Sequence, residues 1–248
     1  MKQKSEPAAR RRREKREACS VMVIGMIVAI PQEINALFES FGHYVGEDVE
    51  CGYRVFIYEF GKHRIIVTGS GAGEIEAAAS TQFLITKYLV NLIVNFGVVG
   101  GLTPEMGLHR TVVVERAVHY QYDATPFDNT VMLGQHIGMP ELYIPATPNF
   151  VKIAKKVEPS LESVICASAD KFVEKQEDKK MLRNTFGADI CDMESAGIML
   201  TCIRNEVPVM LIKAVSDSLE GNAQEYEQTV SDAAATCVKV VKNILEVI

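Results

Sequence analysis

The sequence predicts one α/β domain of three layers, α/β/α, built around a central mixed, largely parallel twisted sheet. Three observations carry this. Short β-branched apolar runs alternate along the chain with segments of helical period. Several of the runs lead into glycine-rich turns. The 248 residues are 48% hydrophobic, enough to bury one sizeable core.

The first run, residues 21–30, is continuously apolar, as a strand buried on both faces should be. Pro31 then opens a helix. Its missing N–H is no loss in a first turn, and Ile34, Leu37, Phe38 and Phe41 recur at helical spacing. Residues 53–60 and 64–68 alternate as two strands around Gly61 and Lys62. The second runs through Ser70, Gly71, Ala72 and Gly73 into an alanine-rich helix, 74–87. Residues 92–97 form the next strand, ending in Val98, Val99, Gly100 and Gly101, where glycine lets backbone approach a ligand. Further strands are expected at 111–117, 163–167 and 207–215, and helices at 150–156, 194–204 and 223–247. In such a sheet ligands gather at the carboxyl ends of strands.

Composition narrows the function classes. Residues 1–20 hold eight Lys/Arg against three Glu, which leaves 18 basic and 29 acidic residues beyond them. The first 20 residues read as a basic, disordered tail, and 21–248 as the one folded domain, which the resemblance given below implies is catalytic. An acidic body argues against nucleic acid as partner, since broad backbone binding is largely phosphate neutralisation by Lys/Arg. The apolar runs are too short to span a membrane. Six cysteines without a C-x-x-C pair read as free thiols in a reducing cytoplasm. No histidine spacing suggests a metal, no serine elbow suggests a serine hydrolase, and Ser70 to Gly73 lacks the rest of a phosphate-binding motif.

The polar residues just beyond predicted strands define the site. They are Glu33, Asp170 with Phe172 nearby, Asp192 and Glu194 around Met193, and Ser216 with Asp217. Each also has an ordinary reading. Glu33 suits the dipole of a helix start, Glu194 is a helix-start carboxylate, and Asp170 and Ser216–Asp217 fit turns.

Taken together, residues 25–33, 70–73, 95–102, Asp-Met-Glu-Ser at 192–195 and Lys-Ala-Val-Ser-Asp at 213–217 resemble, in order and spacing, the methylthioadenosine/S-adenosylhomocysteine nucleosidases of the purine nucleoside phosphorylase superfamily. The resemblance implies a nucleoside phosphorylase-like fold and cleavage of the N-glycosidic bond of an adenine nucleoside by water. It implies no cofactor or metal, and a homodimer in which a loop of the second subunit covers the 5′ substituent. By the resemblance Asp217 protonates adenine N7, with Ser216 orienting it, and Glu33 is the general base for water. Glu194 accepts the ribose hydroxyls beside Asp192, and Met193 packs on the sugar. Phe172 stacks on adenine, the Val173 backbone reads the purine edge, and Ile30 lies at the sugar and 5′ pocket. Ala72 and Gly100, in the two glycine segments, complete the substrate-binding set. Two positions depart from the family's pattern: Lys213 stands for its usual Arg, and Val98 for a serine. Lysine keeps the charge but loses the planar fork, and valine removes a hydroxyl near the water. A purine nucleoside phosphorylase, which needs several donors for phosphate, or a hydrolase with a different nucleoside substrate is the alternative, and a nucleoside-binding protein without turnover is the reading from another class.

Overall fold

The computed structural model describes residues 21–248; the expected basic tail lies outside the described residues. The strands are β1 (Val23–Val28), β2 (Gly46–Glu50), β3 (Tyr53–Phe60), β4 (His63–Gly69), β5 (Leu92–Gly101), β6 (Thr111–His119), β7 (Ile144–Pro145), β8 (Glu162–Ser168), β9 (Ile190–Asp192) and β10 (Val209–Asp217). The helices are α1 (Pro31–Phe41), α2 (Glu74–Tyr88), α3 (Pro148–Val157), α4 (Gln176–Phe186), α5 (Ser195–Arg204) and α6 (Ala223–Leu245).

All ten strands belong to one mixed sheet. β1 lies parallel between β4 and β5, and every residue of it but Val23 is buried, in keeping with its unbroken apolar run. From β4 the sheet continues antiparallel through β3 to β2, an edge strand of sequence GEDVE whose acidic residues leave it partly solvated. On the other side of β1 the sheet closes on itself. β10 pairs with both β5 and β6, β8 with both β6 and β9, and β9 returns to β5. Half the sheet is thus an open twisted layer and half a ring of five strands. Strand and helix alternation alone does not specify that closure, because it depends on the short strand β9, whose three residues carry too little pattern to read.

Helices cover both faces. α1 packs on α6, which lies along β5 and β10, while α2 packs on α5 and on β1. One large core runs through the sheet, and a smaller one joins Val118, Ala167, Leu182 and Phe186 beneath α4. The sequence QEDKKMLRNTF is so polar that no helix is expected there. Its buried residues Lys179, Leu182 and Phe186 nevertheless follow helical spacing.

Two strand ends differ from expectation. β5 runs on through Val98, Val99, Gly100 and Gly101, and β10 runs on through Ser216 and Asp217, where these had been expected to follow the strands. The cause is mutual pairing: Asp217 stands opposite Gly100, across a register shift between Val215 and Asp217. A shift of this kind bends a strand locally and raises its twist.

Candidate active site

One cavity gathers the carboxyl ends of β1, β5, β8, β9 and β10. Its walls include Ile30, Glu33, Ala72, Gly100, Phe172, Val173, Asp192, Met193, Glu194, Ser216 and Asp217. Eleven of the twelve residues expected from sequence therefore share one space. The twelfth, Lys213, stands behind the wall.

Glu33 sits in the first turn of α1 and is buried. Its Oε2 accepts the N–H groups of Ala29 at 2.8 Å and Ile30 at 3.2 Å, and its Oε1 accepts the N–H of Val98 at 3.0 Å. The last of these bonds needs no side chain at position 98, so valine there still holds the carboxylate. A Cβ on Gly97 would lie 2.6 Å from Oε1, which explains the glycine. Burial raises the Glu33 carboxyl above its ordinary range, while Lys213 and the three amides pull it down.

Glu194 caps α5 and accepts the N–H of Gly73 at 3.0 Å. Burial, and then the charge of Asp192, push its carboxyl up to about 7. Gly73 has φ +114°, and a Cβ there would come within 2.7 Å of Asp170 Oδ1. That oxygen instead accepts the N–H of Glu74 at 2.6 Å. Asp170 thus serves the start of α2, and through it the turn that holds Glu194.

Behind these residues lies a buried charge network that periodicity does not reveal. Asp192 Oδ2 pairs with Lys213 Nζ at 2.8 Å, both side chains being about 1% exposed. Asp192 also accepts the hydroxyls of Ser168 and Ser195. Burial disfavours the charge of Asp192, but Lys213 and the serines outweigh it and hold the carboxyl below its ordinary value. Glu74 lies next to it, bonded to the Ser168 hydroxyl at 2.6 Å and to the Gly197 N–H. Burial, then the charge of Asp192, push Glu74 up to about 8. Lys213, expected in the substrate-binding set, is thus the ion-pair partner of Asp192, and its charge also acts on Glu33.

Asp217 is buried, and its two oxygens have different partners. Oδ2 accepts Lys179 Nζ at 2.8 Å, and Oδ1 lies 3.2 Å from the Ser216 hydroxyl. Burial raises its carboxyl, opposed by Lys179. Lys179, which holds Asp217 from behind, and Tyr226, on the cavity wall, were not among the expected residues. Lys179 was legible only as a lysine on the apolar stripe of an unrecognised helix. Tyr226, in the first turn of α6, lines the cavity and meets Phe172 edge-on, with ring centres 5.4 Å apart. Burial, and then the charges of Glu33, Glu194 and Asp217, push its phenol up to about 12. Phe172 itself is 43% exposed, an aromatic face left open at the cavity mouth.

Residues 23–246 match the family model of the phosphorylase superfamily. A 5′-methylthioadenosine/S-adenosylhomocysteine nucleosidase of Buchnera aphidicola is 30% identical over 91% of this chain and 98% of its own. The solved 5′-methylthioadenosine/S-adenosylhomocysteine nucleosidase of Helicobacter pylori superposes with a TM-score of 0.87 at 25% identity, covering 92% of this chain and 99% of that one. Futalosine hydrolase of Helicobacter pylori superposes with a TM-score of 0.86 at 25% identity, over 91% and 98% of the two chains. The chain belongs to the phosphorylase superfamily and, within it, to the family of the 5′-methylthioadenosine/S-adenosylhomocysteine nucleosidases.

Proposed function

We propose that this chain hydrolyses the N-glycosidic bond of adenine thionucleosides, methylthioadenosine and S-adenosylhomocysteine, releasing adenine and the thioribose. The observation that carries the reading is the meeting of Glu33, Glu194 and Asp217 in one cavity beside the open face of Phe172. Breaking the C1′–N9 bond sends its electron pair into the purine and leaves an oxocarbenium-like sugar. Asp217 gives its proton to N7, so that the base departs neutral. Water attacks C1′ and passes a proton to Glu33. Glu194 accepts hydrogen bonds from the ribose hydroxyls, and adenine stacks on Phe172.

Water is favoured over phosphate as nucleophile by the pairing of the cations. Lys213 is engaged by Asp192, Lys179 by Asp217, and Lys171, at the cavity wall, by Asp178 at 2.7 Å. A phosphate entering here would find no unpaired lysine of these three, and would meet the Glu33 carboxylate.

The finer assignments belong to the same reading. The enzyme acts in the cytoplasm, in methionine salvage, as a homodimer. Phe127, Met132, Leu133 and Ile137 support the dimer, being large apolar side chains that stand exposed on one segment after β6. Sedimentation that gives a monomer at micromolar concentration would remove that part.

The test of the reaction is an assay of free base from methylthioadenosine, S-adenosylhomocysteine, adenosine, inosine and aminodeoxyfutalosine, each with and without phosphate. Adenine released from the first two regardless of phosphate is the expected result. Release that needs phosphate would identify a phosphorylase, and binding without release a nucleoside sensor. Preference for aminodeoxyfutalosine would move the chain toward the futalosine-type relatives.

A further inference from the structure

Lys179 is fully buried, at 0% exposure, on a helix whose other inward residues, Leu182 and Phe186, are apolar. Burying a lysine is costly unless its charge and all three of its donors are satisfied. Here Nζ donates to Asp217 Oδ2 at 2.8 Å, to the Ser218 carbonyl at 2.6 Å and to the Gly221 carbonyl at 3.3 Å. Its three acceptors all lie on the end of β10 and the turn that follows, so its charge is directed at the group that must protonate the purine.

We propose that Lys179 is a positioning residue for Asp217: its ammonium donates to Oδ2, so that the proton of the neutral acid sits on Oδ1 and an ion pair forms as that proton passes to the purine. The inference rests on the hydrolase reading given above. Among the described residues the Ser216 hydroxyl is the one hydrogen-bond partner of Oδ1, and that hydroxyl can bond the Val99 carbonyl at 3.3 Å instead, leaving Oδ1 free to face the base. When the proton moves to N7, negative charge appears on Asp217 while the C1′–N9 electron pair moves into the purine. Lys179 stabilises that anion without losing a proton of its own, so its hydrogen bond to Asp217 becomes a full ion pair as the bond breaks. The other groups facing Asp217 cannot do this: Cys191 from β9 and Glu225 and Tyr226 from α6 bring no positive charge, and Gly100 from β5 brings only backbone.

The test compares Lys179→Gln and Lys179→Arg with the wild-type chain by the pH dependence of kcat and kcat/KM for methylthioadenosine. Lys179→Gln keeps donors for the two carbonyls but removes the charge. Its kcat should fall on the order of ten- to a hundredfold, and the limb on which activity is lost with rising pH should move up by about 1–3 pH units, because the acid becomes weaker. Lys179→Arg keeps the charge and should keep the limb where the wild type has it. A merely structural lysine would lower activity in both variants with the limb unmoved, and that result overturns the proposal. A carboxyl-carbon NMR titration of Asp217, assigned against Asp217→Asn, reads the same shift without turnover. Absence of turnover in the wild type would therefore sink the hydrolase reading, whereas an unchanged Asp217 titration in Lys179→Gln would sink this inference alone. Should Lys179→Gln not fold, an upward shift of the limb in Lys179→Arg overturns the proposal by itself.

Discussion

Glu33 and Val98, 65 residues apart, are joined by a hydrogen bond of 3.0 Å from the Val98 N–H to Glu33 Oε1, at the point where β5 enters the cavity. The same carboxylate takes two more amides at its other oxygen, so it is fixed in place before any substrate arrives. Glu33→Gln preserves the shape but loses the capacity to take a proton from water, and its NH₂ would face an amide donor. Turnover should drop about 10²–10⁴-fold with little change in substrate affinity. Asp217→Asn should lose a comparable factor from the other end of the bond. Both are checked by kcat on methylthioadenosine, beside calorimetry showing an intact fold. Wild-type rates in Glu33→Gln would remove it from the mechanism.

Phe172 offers an open face and little else. Phe172→Ala should weaken binding of adenine nucleosides by about 1–3 kcal/mol, the usual worth of one stacked base, while the proton-transfer steps stay in place. The expected pattern is a raised KM with kcat changed much less. Equal loss in both would place Phe172 in the transition state rather than in binding.

Lys213 and Asp192 form a buried pair, so each depends on the other. Lys213→Ala leaves the carboxylate of Asp192 uncompensated beside Glu74 and Glu194, and should cost about 3–5 kcal/mol of stability. Adding Asp192→Asn to it should recover part of that loss. A double-mutant cycle by denaturant unfolding measures the coupling, and additive losses would contradict the pairing.

Stability should fall as pH rises through the neutral range. Glu74 titrates near 8 and Glu194 near 7 in the folded chain, against an ordinary 4.5. Between 4.5 and those values the folded state holds protons that the unfolded state has released, so raising the pH favours unfolding until about 8, where the effect levels off. The lowered pKa values of His119 and His136 oppose this effect below 6.5, so thermal midpoints should decline from pH 6.5 to 8, and Glu74→Gln should flatten the decline. A flat profile in the wild-type chain would show that the network is fully ionised when folded.

The sequence by itself determined the main alternation of strands and helices and marked the polar residues at strand ends. Those features are local: apolar runs, a proline at a helix start, glycines where backbone must come close, and polar residues at strand ends. Tertiary structure decided what depends on neighbours far along the chain. The closing strand β9 was too short to carry a pattern, and α4 too polar. The ends of β5 and β10 were set by the pairing of Asp217 with Gly100 rather than by their own composition. The two lysines show the difference most plainly. Nothing in a linear chain says that Lys213 will face Asp192, or that Lys179 will face Asp217, because a charge buried without a partner is too costly to keep and its partner is chosen by the fold.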